Sequence, residues 1–519
     1  MASAVETSAA GYQRAARTEP GARGRHRTTI GYAVFGALVG AALMAVAHRA
    51  LIDDTYITLS YVRNMVTDFH WGLIPTEESN AATSPLNVLL LSAATWLVSL
   101  LTGDVRPVLG LSVLTVVLTA LLTGWAAATA QRLGRSGAWS LAVLAVVLAN
   151  PFVNSSLGLE VVLESALLVG LLGAAVSGRR VSFGVLAGLL VLTRLDLAVI
   201  VAVVFLLSPS VRRPLWRAPL IAAVVAGPWF VFSWFHFGSA IPDTFVIKTL
   251  QKSFGEATFA NGLWEWWGPR GWLPLWIALV PAAVGLLTLL ALLVAGARRR
   301  LRPEQWPIAG LALGGVAYFG AYSALGVPPY QWYYVPTTVS LGVAGVLGIA
   351  LLTGPVAGRR RITALAGPVV VTVALVVAYA VALPGPSLVW DRATYFGNWA
   401  MPQQALEIGA EVGDLVGDDT VLAPPEIGTL AYACGCSIVD PFSDRGRSLE
   451  LVEERIDEAG PLGRRLLEWN FSRLDRDQQP RPAQYELVYS YDPPPPGLPS
   501  WPVSSPATGN ATYYLQPLP

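Results

Sequence analysis

Apolar stretches separated by polar turns and two longer polar loops run from about residue 30 to 383, and the pattern then changes. The stretches lie near 30 to 47, 86 to 102, 107 to 129, 138 to 155, 158 to 176, 181 to 193, 196 to 208, 218 to 237, 272 to 296, 306 to 325, 333 to 353 and 363 to 383. A bilayer core needs about 20 apolar residues in a helix, so these segments predict membrane-spanning helices, some of them short. Residues 384–519 instead carry short apolar runs at Thr420 to Ala423 and Glu486 to Tyr489, a charged helical stretch near Leu449 to Leu467, and a Pro-rich end that includes Pro493 to Pro496. That pattern predicts a small α/β domain followed by a loosely ordered tail.

Composition supports the division. A chain of 519 residues with 54% hydrophobic content, 13% charged residues and mean hydropathy +0.51 is too apolar for a soluble protein. The expected fold class is an all-α polytopic membrane bundle with a small α/β C-terminal domain. Net charge is +1, so no global field favours nucleic acid, and none is expected as a partner. Cys434 and Cys436 are the only cysteines, which argues against a disulfide scaffold or a multi-Cys metal site. The C-x-C spacing is compatible with a small ring, a metal contact or two small buried residues.

The placement of charge sets a topology. Residues 1–29 hold Arg14, Arg17, Arg23, Arg25 and Arg27 and no apolar run, which predicts a disordered basic tail in the cytoplasm rather than a signal peptide. Arg132 and Arg135, Arg179 and Arg180, Arg212, Arg213 and Arg217, Arg298 to Arg302, and Arg359 to Arg361 belong on the same side. Two apolar segments separate each cluster from the next, except that 86 to 102 and 107 to 129 both precede Arg132. One of that pair should be re-entrant or merged, leaving about eleven spans in 30–383. The loop 50–85 and the domain 384–519 then lie on the extracytoplasmic side of the plasma membrane.

That first loop carries the strongest chemical signal. Asp53 and Asp54 directly follow the first apolar run, at the mouth of a span. An aspartate at a helix centre costs roughly 2.5 to 3.5 kcal/mol, and adjacent anions repel, so a pair kept here points to a site. As the start of a helix the pair would sit at the positive end of its dipole. One carboxylate could act as general base while the other orients the acceptor or holds a cation. The alternative is that Asp53 caps the helix and pairs with Arg49 or Arg63. Glu160, at the entry to a later span, is placed to bond sugar hydroxyls, to complete an acid cluster, or only to meet a helix dipole. His236 lies among Trp234, Phe235 and Phe237, as a ligand or as packing.

Leu51 to Asn64 (LIDDTYITLSYVRN) with Asn80 to Leu86 (NAATSPL) resembles the first extracytoplasmic loop of bacterial GT-C glycosyltransferases. Segments in the same order are similar too: Gly158-Leu159-Glu160, Thr193-Arg194-Leu195-Asp196, Phe237 to Thr244 followed by Lys248, Gln331 to Pro336, and Pro425 to Gly428 with Tyr432 and then Val439-Asp440. Within that superfamily the pattern resembles the actinobacterial, mycobacterial-type terminal arabinofuranosyltransferases. The resemblance implies an inverting enzyme with a polyprenyl-phosphate sugar donor, most simply arabinofuranose, and a growing cell-wall polysaccharide, arabinan, as acceptor. It gives Asp53 or Asp54 the role of base or metal ligand. A phosphate leaving group calls for cations, and Arg194, Lys248 and Arg270 fall in predicted outer loops against the positive-inside bias. Interfacial snorkelling is their other explanation, above all for Arg270 beside Trp266 and Trp267. Tyr56, Glu160, Trp332 and Tyr333 are the candidates for sugar or acceptor contact. A divalent cation would use Asp53, Asp54, Glu160 and His236, although a plain aspartate base suffices without a cofactor. Another lipid-linked sugar such as mannose is the near alternative. A lipid-linked sugar transporter or flippase is the distant one, against which stand the lack of an internal repeat and the large outer domain.

Overall fold

The computed structural model describes residues 20–352, 361–382 and 391–519. Arg14, Arg17, Arg359, Arg360 and the expected junction near 384 lie outside the described residues. Helix α1 (Pro20–Ala47) begins inside the segment expected to be a disordered tail. It is followed by α2 (Asp53–Asp68), α3 (Pro85–Thr102), α4 (Pro107–Arg132), α5 (Trp139–Leu148), α6 (Val161–Val176), α7 (Arg180–Thr193), α8 (Ala198–Leu206) and α9 (Arg217–His236). After the short α10 (Asp243–Ile247) come α11 (Trp272–Ala297), α12 (Trp306–Leu325), α13 (Val335–Leu352) and α14 (Arg361–Ala382).

Seven described helices are long and apolar enough to cross a membrane, and five apolar helices of 10–17 residues fall short of that length. The protein is a multi-pass membrane protein, but helix length alone does not establish the expected count of about eleven. Both segments of the doubtful pair are full helices, and neither is merged. Helix α4 packs antiparallel to α1, with Gly36 against Thr119 and Thr123 and Gly40 against Thr115 and Thr119, small residues that let the backbones approach. The course of α3 is different. Asn87 in its first turn donates to the Gly158 carbonyl at 3.0 Å, and Leu111 in the first turns of α4 meets the same glycine. The connection between α3 and α4 reaches at most about 17 Å, short of a hydrocarbon core of about 30 Å. The starts of α3 and α4 therefore lie close together, beside Gly158.

The C-terminal domain holds α15 (Pro402–Val416), β1 (Thr420–Leu422), α16 (Gly428–Cys434), β2 (Ser437–Val439), α17 (Arg445–Asp457), α18 (Pro461–Asn470), β3 (Tyr485–Ser490), β4 (Ser500–Ser505) and β5 (Gly509–Pro517). The strand order is β2-β1-β3-β5-β4, parallel through β2, β1 and β3 and antiparallel beyond. Helix α16 is the crossover of a β-α-β unit between β1 and β2, and parallel neighbours need such a crossover. The predicted strands at Thr420 and Glu486 are β1 and β3. The loosely ordered tail is a correction: Pro493 to Pro496 lie in the link between β3 and β4, and the residues after them complete the sheet. Its signal is the alternation of buried Ala511, Tyr513 and Leu515, which seats one face of β5 on the core. Cys434 and Cys436 form a disulfide with Cα atoms 5.1 Å apart, closing the ring at the end of α16.

Candidate active site

Helix α2 is the element on which the site is assembled. Its first turn carries Asp53 and Asp54, and it ends at Phe69 in the left-handed conformation, whose N–H returns to the Asn64 carbonyl. The segments picked out in the sequence lock around it. Thr55 donates to Leu157 O at 2.7 Å, and a side chain on Gly158 (φ +96°) would collide with Thr55. Asn80 donates to Ser239 O at 3.0 Å, the Asp243 N–H returns to Asn80 O at 2.8 Å, and Thr244 donates to Ala81 O at 2.9 Å. Ser239 Oγ in turn donates to Asp243 Oδ1 at 2.7 Å, while burial pushes the Asp243 carboxyl up to about 7.

A cavity of about 780 Å³ opens between this assembly and the C-terminal domain. Asp53, Asp54, Glu160, Arg194, Lys248, Arg270, Trp332 and Tyr333 all contribute to its walls. The two aspartates differ in environment. Asp53 is 8% exposed, and its carboxylate accepts from Gly428 N at 2.9 Å and Thr429 N at 2.7 Å, the free amides at the start of α16. Burial pushes Asp53 up to about 6, the Thr429 amide pulls it down, and the neighbouring Asp54 charge pushes it up again. Asp54 keeps 34% of its side chain exposed and has Oδ1 3.8 Å from Lys248 Nζ.

Lys248 lies 5.3 Å from the ring centre of Tyr330 and 5.9 Å from that of Trp332, within cation–π range. Burial works against its charge, but Asp54 and Glu160 hold it above the ordinary lysine range. Arg194 is not a free cation. Its guanidinium meets Asp196 at 2.6 and 3.1 Å, Glu160 at 3.0 Å, and the Tyr318 and Tyr322 hydroxyls at 3.2 and 2.8 Å, with 3% of its side chain exposed. Arg270 stands at the rim with its guanidinium 3.4 Å from the Trp266 ring centre.

Two sequence candidates fall elsewhere. Tyr56 does not line the cavity; it is buried with its ring 5.2 Å from that of Tyr432. His236 bonds Glu78 at 2.9 Å and stacks on Phe232, apart from the acids. The four-residue divalent set is therefore not assembled, and no group of three or more His, Cys, Asp or Glu able to hold a metal occurs among the described residues. Glu426 and Asp440, which the sequence placed in resembling segments without a role, and Trp399, which it missed, face the cavity from the C-terminal domain. Glu426 accepts the Trp399 N–H at 2.7 Å, and burial with the Asp53 and Asp54 charges raises it well above the carboxylate range. Glu164, one helical turn below Glu160, is fully buried with neither oxygen partnered by protein. Its i, i+4 spacing from Glu160 was the available signal.

A second, mostly apolar cavity adjoins the first through Arg194, Thr244, Lys248 and Tyr333, and is walled by Val191, Leu192, Phe230, Pro242, Phe245 and Leu325. Leu325 is 52% exposed on the bundle surface.

No family model and no curated protein matches the chain. Among solved structures, the Archaeoglobus fulgidus oligosaccharyltransferase tethered to an acceptor peptide aligns with a TM-score of 0.51 at 13% identity, over 89% of this chain and 69% of that one. The fold is of the GT-C type. Two structures of the arabinofuranosyltransferase AftD from Mycobacteria align over 93% of this chain with TM-scores of 0.48 and 0.46, at 15% and 14% identity. This chain spans 41% and 40% of theirs. What the GT-C fold contributes here is placement: α2, the turn at Gly158 and α10 converge beneath one domain.

Proposed function

We propose that the protein is a membrane glycosyltransferase that moves a sugar from a polyprenyl-phosphate donor to a cell-wall polysaccharide, with arabinofuranose as the sugar and arabinan as the acceptor. The observation that carries this reading is Asp54, a half-exposed carboxylate facing a sugar-sized cavity and set against Lys248 at 3.8 Å. In a single displacement the acceptor oxygen attacks the anomeric carbon and gives its proton to Asp54. The bond from that carbon to the phosphate oxygen breaks, its electron pair stays on the phosphate, and configuration inverts. Lys248 receives the phosphate charge, with Arg270 at the rim, and the adjoining apolar cavity takes the first isoprene units. Trp332 and Tyr333 present ring faces to the sugar. Asp53 and Arg194 are positioning residues, since each is occupied by protein partners.

Eleven crossings follow if α3 lies along the interface and the shorter helices cross with the rest, which puts the cavity and the C-terminal domain outside the cytoplasm. The Cys434–Cys436 disulfide fits such an oxidising compartment.

The test is transfer by the purified protein in vesicles, from synthetic polyprenyl-phosphate arabinofuranose to a short arabinan. Wild type should form product, and folded Asp54→Asn should lose activity by about 10² to 10⁴-fold. Product from mannose but not arabinose donor would replace the sugar. Donor movement across the vesicle without a new glycosidic bond would replace the enzyme by a transporter.

A further inference from the structure

Helix α18 sits on the bundle in an unusual way. It has ten residues, and an isolated helix of that length is marginal in water. Only its C-terminal side is packed. Asn470 Oδ1 accepts from Ala240 N at 3.0 Å and Ile241 N at 2.9 Å, and Phe471, with Leu467 against it, joins a small core with Val246, Ile247 and Val452. A different face, built by Leu462, Leu466 and Trp469 at i, i+4 and i+7, is 74%, 59% and 60% exposed. Arg464 and Glu468 lie on the opposite side of the helix, and Arg465 flanks the apolar face.

This face continues the exposed apolar surface of a membrane-length helix. The Trp469 ring lies 5.3 Å from that of Trp234 in the last turn of α9, one of the membrane-length helices. The Arg473 guanidinium stands 4.1 Å from the ring of the neighbouring Phe235, itself 59% exposed. Between Pro461 and Arg473 the chain carries three arginines against one glutamate, a balance that suits phosphate headgroups.

We propose that α18 is an interfacial membrane helix: Leu462, Leu466 and Trp469 enter the leaflet beside the end of α9, and Arg465 and Arg473 bind anionic phospholipid headgroups, so that the C-terminal domain is seated on lipid as well as on the bundle. The helix lies in the plane of the interface rather than spanning it. The inference rests on exposure and contacts alone and holds whatever the protein transfers.

The experiment uses the full chain in vesicles of phosphatidylethanolamine and phosphatidylglycerol, with a bimane fluorophore on one introduced cysteine; the native cysteines are bonded to each other and do not compete. Labels go on Leu466→Cys, on Glu468→Cys across the helix, and on Val231→Cys, a lipid-facing position of α9 that is 56% exposed. Lipids brominated on their acyl chains should quench the label at 466 to within about twofold of that at 231 and spare the one at 468, which aqueous iodide quenches instead. Equal behaviour at 466 and 468 would overturn the proposal. Protection of 466 from both quenchers would also overturn it, and would assign the face to a protein partner or a second copy. Exchanging phosphatidylglycerol for phosphatidylcholine should lower the quenching at 466 at least twofold; no change would remove the anionic headgroup from the proposal.

Discussion

Replacing Asp54 by asparagine keeps the volume and removes the base, whereas the same change at Asp53 removes a clamp. Transfer assays should separate them: Asp54→Asn loses kcat with donor binding intact, and Asp53→Asn loses kcat and donor binding together. Lys248→Met should lower kcat by about a hundred- to a thousandfold if the ammonium meets phosphate charge as it develops. Asp53 also carries a pH signature. Its value of about 6 in the folded protein lies above the ordinary 3.8, so folding favours the protonated form. That contribution is complete below about pH 4, is lost as pH rises through about 6, and is worth roughly 3 kcal/mol. The Tm should therefore fall between pH 4 and 7 more in wild type than in Asp53→Asn. The acidic pair was legible from its cost at the mouth of a span. Which of the two is free to act was not, because the amides that hold Asp53 come from residues 428 and 429, far along the chain.

Helix α16 joins the C-terminal domain to the site. At its start it holds Asp53; further along, the Tyr432 ring packs on Tyr56 and the Tyr432 carbonyl accepts from Arg63 at 2.6 Å. Its end is closed by the disulfide and leads into β2. A Cβ on Gly428 would collide with the Asp53 carbonyl oxygen, so the two elements meet backbone to backbone. Gly428→Ala should cost about 1 to 3 kcal/mol of stability, read as a lower Tm, and should reduce activity without replacing a cavity side chain. Helices announced themselves by apolar length, since a span needs little beyond its own backbone bonds and a greasy surface. Strands β4 and β5 were less legible, because a short period-two stretch gains its stability from a partner strand that the local pattern does not name.

For the molecule as a whole, the antiparallel packing of α1 on α4 and the shared start of α3 and α4 at Gly158 make a definite topological prediction. Single cysteines at Asp104 and Arg132, both exposed, should be labelled by a membrane-impermeant maleimide from opposite faces, with Asp104 on the side of the C-terminal domain. Labelling of Arg132 from the side of the C-terminal domain would move the eleven-crossing reading to an even number. Hydropathy, basic clusters and the expensive aspartate pair were fixed by local composition, because transfer from water to lipid is a property of each residue in turn. The bundle and the existence of an α/β domain followed from that, and the family resemblance implied the group of Asp54, Glu160, Lys248 and Trp332. Folding in three dimensions decided what depends on partners: Arg194 neutralised between Glu160 and Asp196, His236 drawn to Glu78, Tyr56 turned away from the cavity, and Glu426 brought in from the far domain. A side chain's charge and size belong to its sequence position, but its availability for chemistry depends on which distant groups have already satisfied it.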